Sequence, residues 1–178
     1  NLPTVWSNCL AGWLLGGGGN WIKFIWLCVG TTFLYLGGMF LNDAFDADFD
    51  RQHRRLRPIP TNAIAERDVW WIGFILLGAG AASLFWMGWS TAILTALLIA
   101  CILIYDAVHK AIAFSPVLMS GCRLFLYLVA ASTSHHGVTG LPVWSALALA
   151  AYIIGLSYLA RKETSRGPLQ SWPNYLLF

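Results

Sequence analysis

The feature that most constrains the fold is a succession of apolar segments too free of charge to be the core of a soluble domain. Residues 69–87, VWWIGFILLGAGAASLFWM, carry no ionised side chain. A hydrocarbon core about 30 Å thick takes about 20 residues of helix. Six segments approach that length: 2–19, 21–41, 69–87, 91–107, 117–134 and 141–159. Composition agrees, since 58% of the 178 residues are apolar and 11% are charged, against about 25% charged in a soluble domain. The sequence therefore predicts an all-α polytopic membrane protein with six spans, forming a single transmembrane domain over residues 1–178. The first and fourth segments are short or glycine-bearing, which asks for tilt or tight pairing. Gly12 and Gly16 form a small-xxx-small pair that either lets two helices approach or marks a break.

Charge sorts the connections. Loops after the second, fourth and sixth segments hold Arg51, Arg54, Arg55, Arg57 and Arg67, then Lys110, then Arg161, Lys162 and Arg166, whereas the alternate loops hold Lys23 and the neutral stretch around His135 and His136. Positive charge marks the cytoplasmic side, so the amino terminus and the aspartate-rich loop are expected in the cytoplasm and the protein in an inner or plasma membrane. The net charge of +3 gives no reason to expect a nucleic-acid partner. Cys9, Cys28, Cys101 and Cys122 are scattered through apolar segments and read as free packing thiols. The first basic residue is Lys23 and the chain begins with Asn, so no signal peptide is expected and a trimmed start is.

One stretch breaks the pattern: FLNDAFDADFDRQHRRLRPIP, from Phe40 to Pro60, holds Asp43, Asp46, Asp48 and Asp50 beside Arg51, Arg54, Arg55 and Arg57. Asn42, Asp46 and Asp50 are four apart, so a helix running past the membrane edge stacks them on one face. Carboxylates so close repel unless a cation neutralises them, and Mg²⁺, a hard ion, takes such oxygens together with substrate phosphates. Arginines offer planar forks to phosphate oxygens. Topology alone accounts for basic residues in this loop, but membrane topology does not ask for clustered acids. Arg123 falls inside the fifth segment, where an ionised group needs a partner or a polar cavity; Asp106 or a substrate phosphate are candidates. His135 and His136 read as surface residues on the opposite side.

The motif NDAFDADFDRQHRRLRPIP resembles the first aspartate-rich motif of the UbiA superfamily of intramembrane aromatic prenyltransferases, through Asn42, Asp43, Asp46, Asp50, Arg57, Pro58 and Ile59. NLPTVWSNCLAG is similar to that family's first helix, and YDAVHK, with Tyr105 and Lys110, to its Tyr-Asn-x-x-x-Lys element, with Asp106 where asparagine is common. The resemblance implies a ring of nine helices around a cavity open to lipid, of which this chain covers the first six. It also implies Mg²⁺-dependent transfer of an isoprenyl group from an isoprenyl diphosphate to an aromatic or other lipophilic acceptor. On it, Asn42, Asp46 and Asp50 would bind Mg²⁺ and Arg57 with Lys110 would address the diphosphate, with Asp46, Asp50 and Lys110 at the catalytic centre; Arg123, read from its place inside the fifth segment, is a further candidate for the substrate phosphate.

The second aspartate-rich motif is degenerate. SYLARKETSRG, from Ser157 to Gly167, has Glu163 as its acid, which on the resemblance would serve a second metal while Arg161 and Lys162 serve the diphosphate. The alternative is a non-catalytic relative that keeps the fold as a structural or pigment- or lipid-binding subunit of a larger membrane complex. A transporter is disfavoured because the acids lie at the membrane edge rather than the midplane.

Overall fold

The computed structural model describes residues 2–110, 112 and 114–164, with the side chains of 161–164 outside the description. Among the described residues the chain is all helical: α1 (Leu2–Leu15), α2 (Trp21–Phe45), α3 (Ala47–His53), α4 (Glu66–Phe85), α5 (Trp89–Val108), α6 (Ser115–Ser132) and α7 (Gly140–Thr164). Helices α2, α4, α5, α6 and α7 are long and apolar enough to cross a membrane. The first of the six predicted spans is shorter than expected. With 14 residues, α1 covers about 21 Å at 1.5 Å per residue.

Glycine sets that length. Gly17, Gly18 and Gly19 have φ of 97°, 64° and 146°, backbone that L side chains rarely adopt. The amides of Gly17 and Gly18 turn back onto the carbonyls of Leu14 and Trp13, closing the helix end. Asn20 then starts α2, its Oδ1 accepting the amide of Ile22 at 2.7 Å. Both readings of the Gly12 and Gly16 pair hold. A Cβ on Gly12 would lie 2.5 Å from the Tyr127 carbonyl oxygen and one on Gly16 3.0 Å from the Ala131 carbonyl oxygen, so both are close approaches to α6, and Gly16 also opens the break.

The ring runs α1, α2, α4, α5, α6 and back to α1, with α7 packed on α6 and touching α1. The closest pair is α2 with α4. A Cβ at Gly37 would meet the Gly73 carbonyl oxygen at 3.0 Å, and one at Gly80 would meet the Gly30 carbonyl oxygen at 2.8 Å. The seven-residue spacing of each glycine pair keeps both on one stripe, so the two backbones touch along several turns. Leu27, Leu34, Leu41, Leu77, Leu84 and Leu98 fill the centre of the bundle.

The outside is equally apolar. Trp21, Trp86, Trp89 and Trp144 are exposed, and all stand where α2, α5 and α7 begin or α4 ends, at the end of the bundle away from the aspartates. Tryptophans gathered at one level are the mark of a membrane–water interface. This is an integral membrane protein.

Candidate active site at the aspartate end of the bundle

The aspartates occupy nearly continuous helix. Between α2 and α3 only Asp46 intervenes, with φ −82° and ψ −6°, still in the right-handed region. The amides of Asp46, Asp50 and Arg54 bond to the carbonyls of Asn42, Asp46 and Asp50 at 3.0, 2.9 and 2.8 Å. The four-residue spacing therefore puts Asp46 and Asp50 one turn apart on a buried face, 5% and 2% exposed, while Asp43 and Asp48 are exposed.

Each acid has a basic partner. Lys110, just beyond the end of α5, places Nζ 2.6 Å from Asp46 Oδ1, with His109 Nε2 at 3.7 Å from the same oxygen. One nitrogen of Arg57 bridges two acids, 2.8 Å from Asp43 Oδ1 and 3.3 Å from Asp50 Oδ2. Arg51 joins Asp48 and Glu66 at 2.7 and 2.6 Å on the exposed flank. Two hydrogen-bonded carboxylates hold its guanidinium above the ordinary arginine pKa.

Packing fixes these cations. Ile59 is buried against Ala44, Ala47 and Val69, and the amides of Thr61, Asn62 and Ala63 fold back onto Arg57, Ile59 and Pro58, so the RPIP turn presents Arg57 to the acids. Lys110 lies over the Phe49 ring, 3.9 Å from its centroid, and His109 stacks on Tyr105 at 5.1 Å. A cation held on an aromatic face has a defined position while its charge stays available.

Through Asp43 and His109 this cluster reaches a cavity of about 340 Å³ walled by α1, α2, α5 and α6, while Asp46, Asp50, Arg57 and Lys110 are not part of its lining. On α2 its lining runs from Thr31 to Asp43, about 18 Å of helix. Val5, Leu34, Met39, Leu98, Ile102 and Leu126 give the walls their apolar surface, and the polar groups are Asn42, Asp43, Asp106 and His109 toward one end, Arg123 on α6, and Thr31, Tyr35 and Tyr105. The arrangement suits a molecule with a long apolar body and a polar head.

Of the residues singled out from sequence, Asn42, Asp46, Asp50, Arg57 and Lys110 come together at this end. Asn42 has its amide nitrogen committed to another helix, donating to Asp106 on α5 at 3.1 Å. A buried carboxyl needs a donor, and Asn42 is the one it has in this contact. Arg123 belongs to the cavity wall rather than the ion-pair cluster, and makes no ion pair with Asp106 among the described residues. The side chains of Arg161, Lys162 and Glu163 lie outside the described residues. His135 and His136 are exposed, as read, and their amides tie the α6–α7 turn to Gly18 and Gly16 at the far end. All four cysteines are free. Sequence reasoning missed Phe49 and His109. An aromatic one residue before Asp50, and the histidine inside YDAVHK, were the signals for them.

The family profile described as "UbiA prenyltransferase family" matches residues 2–174. The chain belongs to this family. UbiA folds also match in three dimensions. An apo structure of a UbiA homologue from Aeropyrum pernix K1 superposes with a TM-score of 0.73 at 18% identity, covering 86% of this chain and 60% of that one. A digeranylgeranylglyceryl phosphate synthase does so with a TM-score of 0.71 at 17% identity, covering 85% and 53%. At these identities the likeness is one of fold, and the chain spans little more than half the length of either structure. No curated protein sequence matches it.

The UbiA family implies Mg²⁺, and the donor chemistry here fits a hard divalent cation. Asp46 and Asp50 are buried carboxylates one turn apart, and Asp50 Oδ1 is buried without a hydrogen-bond partner. Among the described residues no group of three or more His, Cys, Asp and Glu is placed to hold a metal, and the oxygens of Asp46 and Asp50 are in contact with Lys110 and Arg57, contacts an ion would have to displace. For an ion to bind there, Lys110 and Arg57 would have to leave the carboxylates, and phosphate oxygens are acceptors that both can use.

Proposed function

We propose that the chain transfers an isoprenyl group from an isoprenyl diphosphate to a lipophilic acceptor. The observation that carries this reading is an elongated apolar cavity whose polar end holds Asp43 and His109, the side chains that tie it to the adjoining ion pairs of Asp46, Asp50, Arg57 and Lys110. In this reading the isoprenoid chain lies along α2 in the cavity, and Arg57 and Lys110 bind diphosphate oxygens. The allylic carbon–oxygen bond breaks with its electron pair leaving on the diphosphate. The acceptor supplies the pair that forms the new bond and loses a proton. Asp46 and Asp50, with the side-chain oxygen of Asn42, would hold Mg²⁺, which neutralises charge building on the leaving group. The apolar wall keeps water from capturing the electron-poor carbon. Arg161 and Lys162 are proposed to add to diphosphate binding and Glu163 to a second metal.

The experiment is Mg²⁺-dependent binding and turnover of a labelled isoprenyl diphosphate by the purified protein, beside an Asp46→Ala, Asp50→Ala variant. Transfer that is lost in the folded variant supports the enzyme. Absence of both binding and transfer across several chain lengths and acceptors overturns it. A second reading, a non-catalytic subunit of a membrane complex holding lipid or pigment, is favoured by one observation: Glu163 is the sole acid where the UbiA family carries its second aspartate cluster. Stoichiometric co-purification of other membrane subunits or pigments with an inactive protein would select it.

A further inference from the structure

The ion-pair cluster at the aspartate end leaves two polar atoms in the cavity without work. Oδ2 of Asp106, on a side chain 5% exposed, and one terminal guanidinium nitrogen of Arg123 are buried and have no hydrogen-bond partner among the described residues. Both residues line the cavity. The other oxygen of Asp106 is fixed by Asn42 at 3.1 Å, so the carboxyl is held by one oxygen while the second stays uncommitted.

A buried polar atom without a partner costs about 1–3 kcal/mol, more when charged. Arg123 stands about 12 Å along α6 from its first residue, within the membrane-spanning part, where a guanidinium is dearer still. The two groups come from different helices and have opposite polarity, Asp106 on α5 offering an acceptor and Arg123 on α6 offering a donor. The cavity lining also holds Tyr35, Tyr105 and His109 among its apolar side chains, and no residue of it hydrogen-bonds to either atom. An apolar chamber with a few convergent polar atoms is how a protein orients the head of an otherwise greasy ligand.

We propose that Asp106 and Arg123 seat the polar end of the acceptor. That acceptor carries a hydroxyl or N–H that donates to Asp106 Oδ2 and a carboxylate or carbonyl oxygen that accepts from Arg123. The proposal rests on the reading of this cavity as the site of prenyl transfer, and it reassigns Arg123 from the diphosphate to the acceptor.

The test uses the full chain in lipid nanodiscs and calorimetric titration with three matched probes. These are 4-hydroxyphenylacetate, phenylacetate, which lacks the hydroxyl, and 4-ethylphenol, which lacks the carboxylate. The wild type is expected to bind the first at least about tenfold more tightly than either of the others, since one hydrogen bond to a charged group is worth that factor. Arg123→Gln should erase the preference over 4-ethylphenol. Asp106→Asn should erase the preference over phenylacetate, because the amide oxygen still accepts from Asn42 while an NH2 replaces Oδ2. If Arg123→Gln does not fold, Arg123→Lys, which keeps the charge but loses the fork, is expected to reduce the same preference. Equal binding of all three probes by the wild type, or variants that lower the melting temperature and leave selectivity intact, would overturn the seat and make the pair purely structural.

A non-reacting isoprenyl thiodiphosphate, titrated in parallel, separates the two ideas. If it binds and the probes do not discriminate, the seat fails and prenyl transfer stands. If the probes discriminate and it does not bind, the seat stands and prenyl transfer fails. If Arg123→Gln weakens thiodiphosphate and 4-hydroxyphenylacetate by the same factor, Arg123 serves the diphosphate and the seat is overturned.

Discussion

Asp46 shows how much of the site hangs on single pairs. Its carboxylate is buried and its charge is met by Lys110 at 2.6 Å, with His109 more distant. Removing one partner of a buried pair leaves an uncompensated charge, which costs about 3–5 kcal/mol when both are fully buried. Lys110 is partly exposed, so Lys110→Met is expected to cost less, about 1–3 kcal/mol. Adding Asp46→Asn should recover part of that loss, because the orphaned charge goes with it. Thermal unfolding of the wild type, both single variants and the double variant checks this, and strictly additive losses would show that the pair is not coupled. Much of this chemistry was legible in the sequence: residues four apart declare a shared helical face, and the aspartates kept it through the junction at Asp46. The direction of Asn42 was not legible. It is set by Asp106, 64 residues away, and no local spacing reveals which helix stands opposite.

At the scale of helices, apolar runs located the elements, and glycines decided how they end and pair. The break after Leu15 could be read from GGGG at 16–19. The α2–α4 contact could not, because glycines seven apart on each of two helices acquire meaning only once those helices face each other. Gly37→Leu should test the stripe. Its Cβ would lie 2.9 Å from the Leu77 amide nitrogen and 3.0 Å from the Gly73 carbonyl oxygen, backbone atoms that cannot swing aside. Overpacking of this kind costs about 1–3 kcal/mol, so the variant should melt well below the wild type in nanodiscs. Gly78 lies on the same α4 with nothing within 4 Å of its would-be Cβ. There Gly78→Ala is expected to be neutral or to stabilise by about 0.5–1 kcal/mol through helix propensity. Equal effects at the two positions would mean that the helices are not held by backbone contact.

For the whole molecule, two asymmetries coincide. The acids and arginines cluster at one end of the bundle, and Trp21, Trp86, Trp89 and Trp144 cluster at the other. The tryptophan level supports a membrane interface without saying which side it faces, since aromatic belts form on both. The basic loops supply the sign. Lys and Arg near span ends stay in the cytoplasm, so the proposed orientation places Asp48 inside and His136 outside. On the proposed reaction, that orientation would place the cations that bind the diphosphate on the cytoplasmic side, with the lipophilic acceptor entering from the bilayer. Single cysteines at Asp48→Cys and His136→Cys, both exposed positions, in a background with Cys9, Cys28, Cys101 and Cys122 replaced by alanine, make this measurable. In intact cells a membrane-impermeant maleimide should label the His136→Cys protein at once and the Asp48→Cys protein only after permeabilisation. The reverse pattern would put the aspartates outside, and with them it would remove the cytoplasmic diphosphate from the proposed reaction.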